Sequence, residues 1–374
     1  MNLSRRDLIR SAPLAALAGL SATGARGDEP LIVRMQEPRN LETPLSELFT
    51  GGTEKFFVRS HFAVPEVDAK AFKLTVSGHV EKPLELSLAD LKKTGEVSRE
   101  MVLECAGNGR VFLVPQARGL QWGHGGVGSA KWTGVPLGAV LERAGVKRGA
   151  GDVVLVGADK GTIADPATPG AIHFDRGIPL AKAKADETLL VWEMNGAALT
   201  PAHGAPLRAI VGGWYGMASV KWLSQIVVLD REHAGFWQTF DYSRWERPKG
   251  APPRLVPLTA IEPKAVIVSP LAGTTVLAGK EVKVRGFAWA GERGVAKVEF
   301  SSSGGEVWSV VQVYEKPKPF EYVKWEATFK PAAGPLKLLA RATDDAGRTQ
   351  PDARDTDRRT YMINHRVPVE LTAK

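Results

Sequence analysis

Five prolines between Tyr242 and Pro263 divide this chain into two stretches with different patterns: Pro248, Pro252, Pro253, Pro257 and Pro263. Each proline removes an amide donor and fixes its own φ. Neither a helix nor a central strand can run through such a segment, so it is expected to cross the surface as a linker.

Before the linker, strand and helix signals alternate. Phe72, Leu74 and Val76 alternate with Lys73, Thr75 and Ser77, the period of a half-buried strand. Ser87–Leu88–Ala89–Asp90 reads as the capped start of a short helix through Leu91. Leu137–Leu141 reads as a helix ended near Gly145, and Val153–Val156 and Leu189–Trp192 as buried strands. After the linker, Val282–Ala288, Ala296–Ser301 and Leu336–Thr343 all alternate apolar with polar, with turn signals at Ser303–Gly304–Gly305 and Asp345–Ala346–Gly347. About a hundred residues of short strands with such turns predict an immunoglobulin-like β-sandwich. The expected architecture is therefore an α+β domain over 28–260, followed by an all-β sandwich over 261–374.

The first 27 residues read as an address. Ser4–Arg5–Arg6–Asp7–Leu8–Ile9 precedes a modest apolar run through Ala18 and a tail of small residues, Ser21–Ala25. That run is too short to span a bilayer stably. The arginine pair resembles a twin-arginine signal, which implies export of a folded, cofactor-loaded protein and a periplasmic location. No other stretch is long and apolar enough to suggest a membrane span.

Cys105 is the sole cysteine of 374 residues. An intramolecular disulfide, a zinc site built on cysteine pairs and a covalent c-type haem are thereby excluded. The formal net charge is +8, without a Lys/Arg block or basic helical stripe, so no nucleic-acid footprint is expected. A mildly basic surface suits an anionic substrate or an acidic partner. Around Cys105, Gly107–Asn108–Gly109 is suited to a tight loop, and Arg110 places a cation near the sulfur, which favours a thiolate. A thiolate attacks carbon or binds a soft metal. No nearby histidine offers a base for the first role.

The ordered motifs resemble the sulfite oxidase family of molybdenum enzymes over nearly the whole chain after the address. They are Phe57–Phe62, Glu104–Arg110, Trp122 with Trp132–Leu137, Trp192–Gly196, His203–Arg208, Val220–Leu223, Trp237–Tyr242 and Arg285–Trp289. The resemblance implies Mo-molybdopterin as cofactor, with Cys105 as thiolate ligand of the metal beside the two sulfurs of the pterin. His61, Asp159, His203, Arg208, Ser219 and Lys221 would hold the pterin and its phosphate. Arg59, Arg110 and Arg293 would form the pocket for sulfite, and Tyr242 would lie beside the reacting centre. Guanidinium groups suit the role, because their fixed fork matches a small oxyanion.

The resemblance also implies oxidation of sulfite to sulfate. No haem domain of the vertebrate type fits between the address and Phe57, so the electrons are expected to reach an external c-type cytochrome. A homodimer through the second domain is expected as well. Gly212–Ser219 departs from the vertebrate pattern, which carries an arginine near Ala218. Three rival readings remain: a sulfane dehydrogenase subunit, from which Arg59 and Arg110 set this chain apart; a sulfoxide reductase, which the sandwich disfavours; and a non-catalytic periplasmic binding protein. Plant nitrate reductases share the cofactor architecture, so fold alone leaves the substrate open.

Overall fold

The computed structural model describes residues 29–50 and 52–374; the expected address over 1–27 lies outside them. Two five-stranded sheets organise the first domain. In one, Thr188–Met194 lies between Val127–Pro136 and the two-residue strand Ala197–Ala198, Val97–Glu104 flanks Val127–Pro136, and Arg208–Val211 also pairs with Thr188–Met194. In the other, the order is Leu84–Leu86, Leu74–Gly78, Leu223–Val228, Asp152–Gly161, Ile172–Pro179, and only the contact of Leu223–Val228 with Leu74–Gly78 is parallel.

Helices are few and short. Ser87 caps Leu88–Lys92: its Oγ accepts from Asp90 N at 3.2 Å, while Asp90 Oδ2 accepts from Ser87 N at 3.0 Å. Helix Leu137–Ala144 buries Leu137, Val140, Leu141 and Ala144, the single face that a 3.6-residue period produces. It stops at Gly145, whose φ of +67° is open to glycine at little steric cost, and whose N–H donates to Leu141 O at 3.0 Å.

The second domain is a sandwich. One sheet runs Lys264–Ser269, Val282–Trp289, Tyr322–Phe329, Gln312–Val313; the other runs Thr275–Val276, Val369–Ala373, Gly334–Asp344, Val295–Ser301, Ser309–Val310. The expected strands appear here with nearly the expected bounds, and Gly304, Gly305 and Gly347 all have positive φ in the expected turns. The sandwich has its own core, which includes Val284, Val298, Trp325 and Leu338. Val266, Phe287 and Trp289 instead join the main core of the first domain.

The linker differs from expectation. Ser243–Glu246 pairs with Arg254–Pro257 as an antiparallel hairpin. A two-stranded ribbon has only edges, so Pro257 sits at a strand end where its missing donor interrupts no ladder.

Candidate active site

Both sheets of the first domain contribute walls to one cavity, which is partly open to solvent. Cys105 follows the last residue of Val97–Glu104. Asp159 and Phe174 come from neighbouring strands of the second sheet, Arg208 opens the strand Arg208–Val211, and Tyr242 follows the turn Trp237–Asp241.

The cysteine loop is closed by backbone bonds. Cys105 N–H donates to Gly126 O at 2.8 Å, and Asn108 N–H donates to Cys105 O at 2.9 Å. Gly109, at φ +94°, turns the chain into the short turn Arg110–Phe112. The thiol-bearing residue is buried, 7% exposed, and lines the cavity.

At one end of the cavity, His61 Nε2 and Tyr242 OH are 2.6 Å apart, and the His61 ring stacks on Phe174 at 4.4 Å. Burial, with Arg59 and Lys221 nearby, holds the imidazole well below its usual pKa, so it is neutral. Burial raises the Tyr242 phenol above its ordinary value, so it stays protonated. Arg59 lines the same end. Its Nη1 donates to Asn40 Oδ1 at 3.3 Å and to Ser60 O, and it makes no other hydrogen bond among the described residues.

Arg208, Lys221 and His203 line the same cavity. Arg208 is buried and donates to His203 O at 3.0 Å and to Ser219 O at 3.1 Å, with its guanidinium 5.2 Å from the centre of the Trp132 ring. Burial lowers its pKa to about 9. Lys221 Nζ donates to Ser60 Oγ at 3.0 Å and to Ala202 O at 2.8 Å. Ser219 Oγ accepts from Val211 N–H at 3.0 Å. His203 shares its Nδ1 with Thr200 Oγ1 at 2.8 Å; burial, then Arg208 and Lys221, bring its pKa down to about 4. Asp159 is the one carboxylate among the cavity's lining residues, and burial raises its pKa to about 6 against the pull of Lys221.

Nine of the eleven residues expected at the site line this cavity: Arg59, His61, Cys105, Asp159, His203, Arg208, Ser219, Lys221 and Tyr242. Arg110 lies behind it. Its Nε donates to Thr360 O at 3.0 Å, its Nη1 to Leu120 O at 2.8 Å, and the guanidinium packs 5.2 Å from the centre of the Tyr361 ring. The expectation for Arg293 is corrected: its side chain is 56% exposed and reaches toward Asp345 at 3.8 Å. The turn after Val282–Trp289 carries it to the surface instead of into the cavity. Sequence reasoning missed Asn40, a fully buried residue whose Oδ1 also accepts from Ser60 N at 2.9 Å, and Phe174, the ring on which His61 rests. An isolated asparagine and an aromatic residue in a strand carry no local signal of such roles.

Residues 61–237 match the oxidoreductase molybdopterin binding domain, and residues 257–372 match the Mo-co oxidoreductase dimerisation domain. The chain is 34% identical over 360 residues to the sulfite oxidase of Gallus gallus, covering 87% of this chain and 75% of that protein. It is 30% identical over 364 residues to the nitrate reductase [NADH] of Ulva prolifera, covering 86% of this chain but only 41% of that one. Among solved structures, the sulfane dehydrogenase SoxCD from Paracoccus pantotrophus matches with a TM-score of 0.76 at 27% identity, covering 88% of this chain and 83% of that chain. The chain belongs to the sulfite oxidase family of molybdenum oxidoreductases. Its cofactor is Mo-molybdopterin.

The residues present fit that cofactor. Asp159 Oδ1 and His203 Nε2 are buried with no hydrogen-bond partner among the described residues, and both belong to the cavity wall. Buried polar atoms are rarely left unpaired, so the pair points to a polar ligand. Arg208 and Lys221 beside them suit a phosphate, and Cys105 supplies the only thiol in the chain.

Proposed function

We propose that this chain oxidises sulfite to sulfate and passes the electrons one at a time to a separate c-type cytochrome. One observation carries the reading: Arg59, Tyr242 and Cys105 line a single cavity together with Arg208, Lys221 and His203, groups suited to a phosphorylated cofactor. When bound, the molybdenum cofactor supplies a two-electron couple and oxygen-atom transfer, chemistry that protein side chains lack.

The chain's own residues position and neutralise. Cys105 offers its sulfur as the metal's thiolate. Arg208, Lys221, Ser219, His203, His61 and Asp159 hold the pterin and its phosphate. Arg59 is tethered through Nη1, which leaves its remaining N–H groups to bind a sulfite oxygen. With His61 neutral, its Nε2 can carry the proton of the His61–Tyr242 hydrogen bond, which leaves the phenol free to donate toward the substrate. Arg110 acts behind this array as a clamp on the cysteine loop.

Steady-state reduction of ferricyanide and of cytochrome c, with sulfite or thiosulfate as donor, tests the reading. Turnover with sulfite supports it; turnover confined to thiosulfate overturns it. The second outcome would favour a sulfane dehydrogenase, a reading supported by the likeness to SoxCD. The Arg5–Arg6 pair supports twin-arginine export to the periplasm, which Arg5→Lys with Arg6→Lys would block in a fractionation experiment. The match of residues 257–372 supports a homodimer through the second domain, which sedimentation would test.

A further inference from the structure

Two residues of the second domain reach the back of the cysteine loop. Lys264 and Trp289 are directly paired on the neighbouring strands Lys264–Ser269 and Val282–Trp289, and both are buried, 2% and 0% exposed. Their polar ends converge on Glu104, the chain neighbour of Cys105. Glu104 Oε1 accepts from Lys264 Nζ at 3.1 Å and from Asn108 Nδ2 at 3.0 Å, and Glu104 Oε2 accepts from Trp289 Nε1 at 2.8 Å. Lys264 Nζ also donates to Asn108 O at 3.1 Å. Asn108 Oδ1 accepts from Gly126 N–H at 3.0 Å, and Gly126 O accepts from Cys105 N–H at 2.8 Å. The network thus holds the cysteine from both sides of the loop.

None of Glu104, Asn108, Lys264 and Trp289 lines the cavity, so none touches substrate or cofactor. A buried ion pair is also a weak device for stability alone, because desolvation offsets most of the attraction. A well-packed apolar pair would join the domains as firmly. What the ion pair adds is direction: three donors on one carboxylate allow the loop a single arrangement.

We propose that Lys264 and Trp289 are positioning residues through which the second domain sets the orientation of the Cys105 thiol toward the cofactor. The inference rests on the reading of Cys105 as the cofactor's thiolate, but its test requires no turnover. Because Cys105 is the sole cysteine, its alkylation by iodoacetamide in cofactor-free protein reports on this loop alone. Trp289→Phe removes one donor and keeps an aromatic six-membered ring; Lys264→Met removes the cation. In both variants Cys105 alkylation accelerates about tenfold or more, and cofactor retention falls by about 10- to 100-fold, the usual effect of losing a residue that supports a metal ligand.

Lys182→Met is the control. It breaks a different interdomain contact, Lys182 Nζ to Glu292 Oε1 at 2.6 Å, and leaves the alkylation rate as in the wild type. Wild-type alkylation in folded Trp289→Phe overturns the proposal, and so does equal acceleration in Lys182→Met, which would mean general loosening between the domains. Should Lys264→Met fail to fold, Trp289→Phe decides alone. If the wild type were to bind no molybdenum, the functional reading would fail while the alkylation comparison would still decide this one.

Discussion

Tyr242 and His61 are 181 residues apart in the chain and 2.6 Å apart in space, joined by a hydrogen bond in the wall of the cavity. The pair brings the first motif of the chain to the last motif before the linker. Tyr242→Phe deletes the phenol and leaves His61 Nε2 unpaired against Phe174 and Trp237. Loss of such a bond costs about 1.5–3 kcal/mol, so turnover with sulfite should fall about 10- to 100-fold while cofactor content stays at the wild-type level. Unchanged steady-state kinetics would remove Tyr242 from the reacting centre.

Arg59→Gln should raise the KM for sulfite without lowering molybdenum content. Removing a charged hydrogen bond from a bound oxyanion typically costs about 2–5 kcal/mol, which is on the order of 30- to 1000-fold or more. An unchanged KM would mean that the guanidinium only braces Asn40 and Ser60.

Cys105→Ser should give folded protein without sulfite turnover. A hydroxyl is harder and far less acidic than a thiol, so the metal would lose its thiolate donor. Circular dichroism matching the wild type, with activity abolished, is the expected result. Near-normal activity would sink the assignment of this cysteine.

Acid should destabilise the cofactor-free protein. Burial first, with Lys264 and His365 second, brings the His124 pKa down to about 3, and His203 stands at about 4; both lie below the ordinary value of about 6.5 that the unfolded chain regains. Below pH 6.5 the unfolded chain therefore binds protons that the folded chain refuses, and stability falls with pH. His61 shifts in the same direction. Asp159 opposes them, because its raised value of about 6 lets the folded state take up a proton before the unfolded state does. His124 and His203 against Asp159 leave a net loss of roughly 2–3 kcal/mol between pH 7 and pH 5, and His61 and His365 add to it in the same direction. Urea titrations at pH 7, 6 and 5 would measure it, and a midpoint that rises on acidification would contradict the burial of these imidazoles.

Gly107→Ala should destabilise the protein by about 1–3 kcal/mol, the usual cost of overpacking a tight site. A Cβ at Gly107 would stand 2.4–2.7 Å from the Arg110 guanidinium, which the Leu120 and Thr360 carbonyls hold in place. Thermal unfolding would report the cost, and a change near zero would show that Arg110 is free to move.

Local chemistry was the legible part of this sequence. The capping box at Ser87, the glycine stop at Gly145 and the period-two strands of the sandwich each lie within a few residues, and each appears in the fold. Residues placed by the ordered motifs mostly converge on the cavity, and several of them, Cys105 and Arg208 among them, sit at strand ends. Arg293 does not, since one turn decides which way it faces. Glu104 illustrates the other limit. Its partners Lys264 and Trp289 are 160 and 185 residues away, and no periodicity records a contact of that range. Arg110 is expected at the sulfite pocket by resemblance and by the fit of a guanidinium to an oxyanion; its carbonyl partners at Leu120 and Thr360 become visible only in three dimensions.

The contact of Met362 N–H with Ala106 O, at 2.8 Å, bears on the order of events during synthesis. Ile363 lies against Gly109 in the same place, where a Cβ would stand 3.2 Å from it. A ribosome delivers Cys105 more than two hundred and fifty residues before it delivers Met362 and Ile363. Until those two emerge, the loop around the cysteine lacks the strap that closes it. A nascent chain is therefore left with its thiol incompletely held, and the finished loop arrives only with the last segment of the chain.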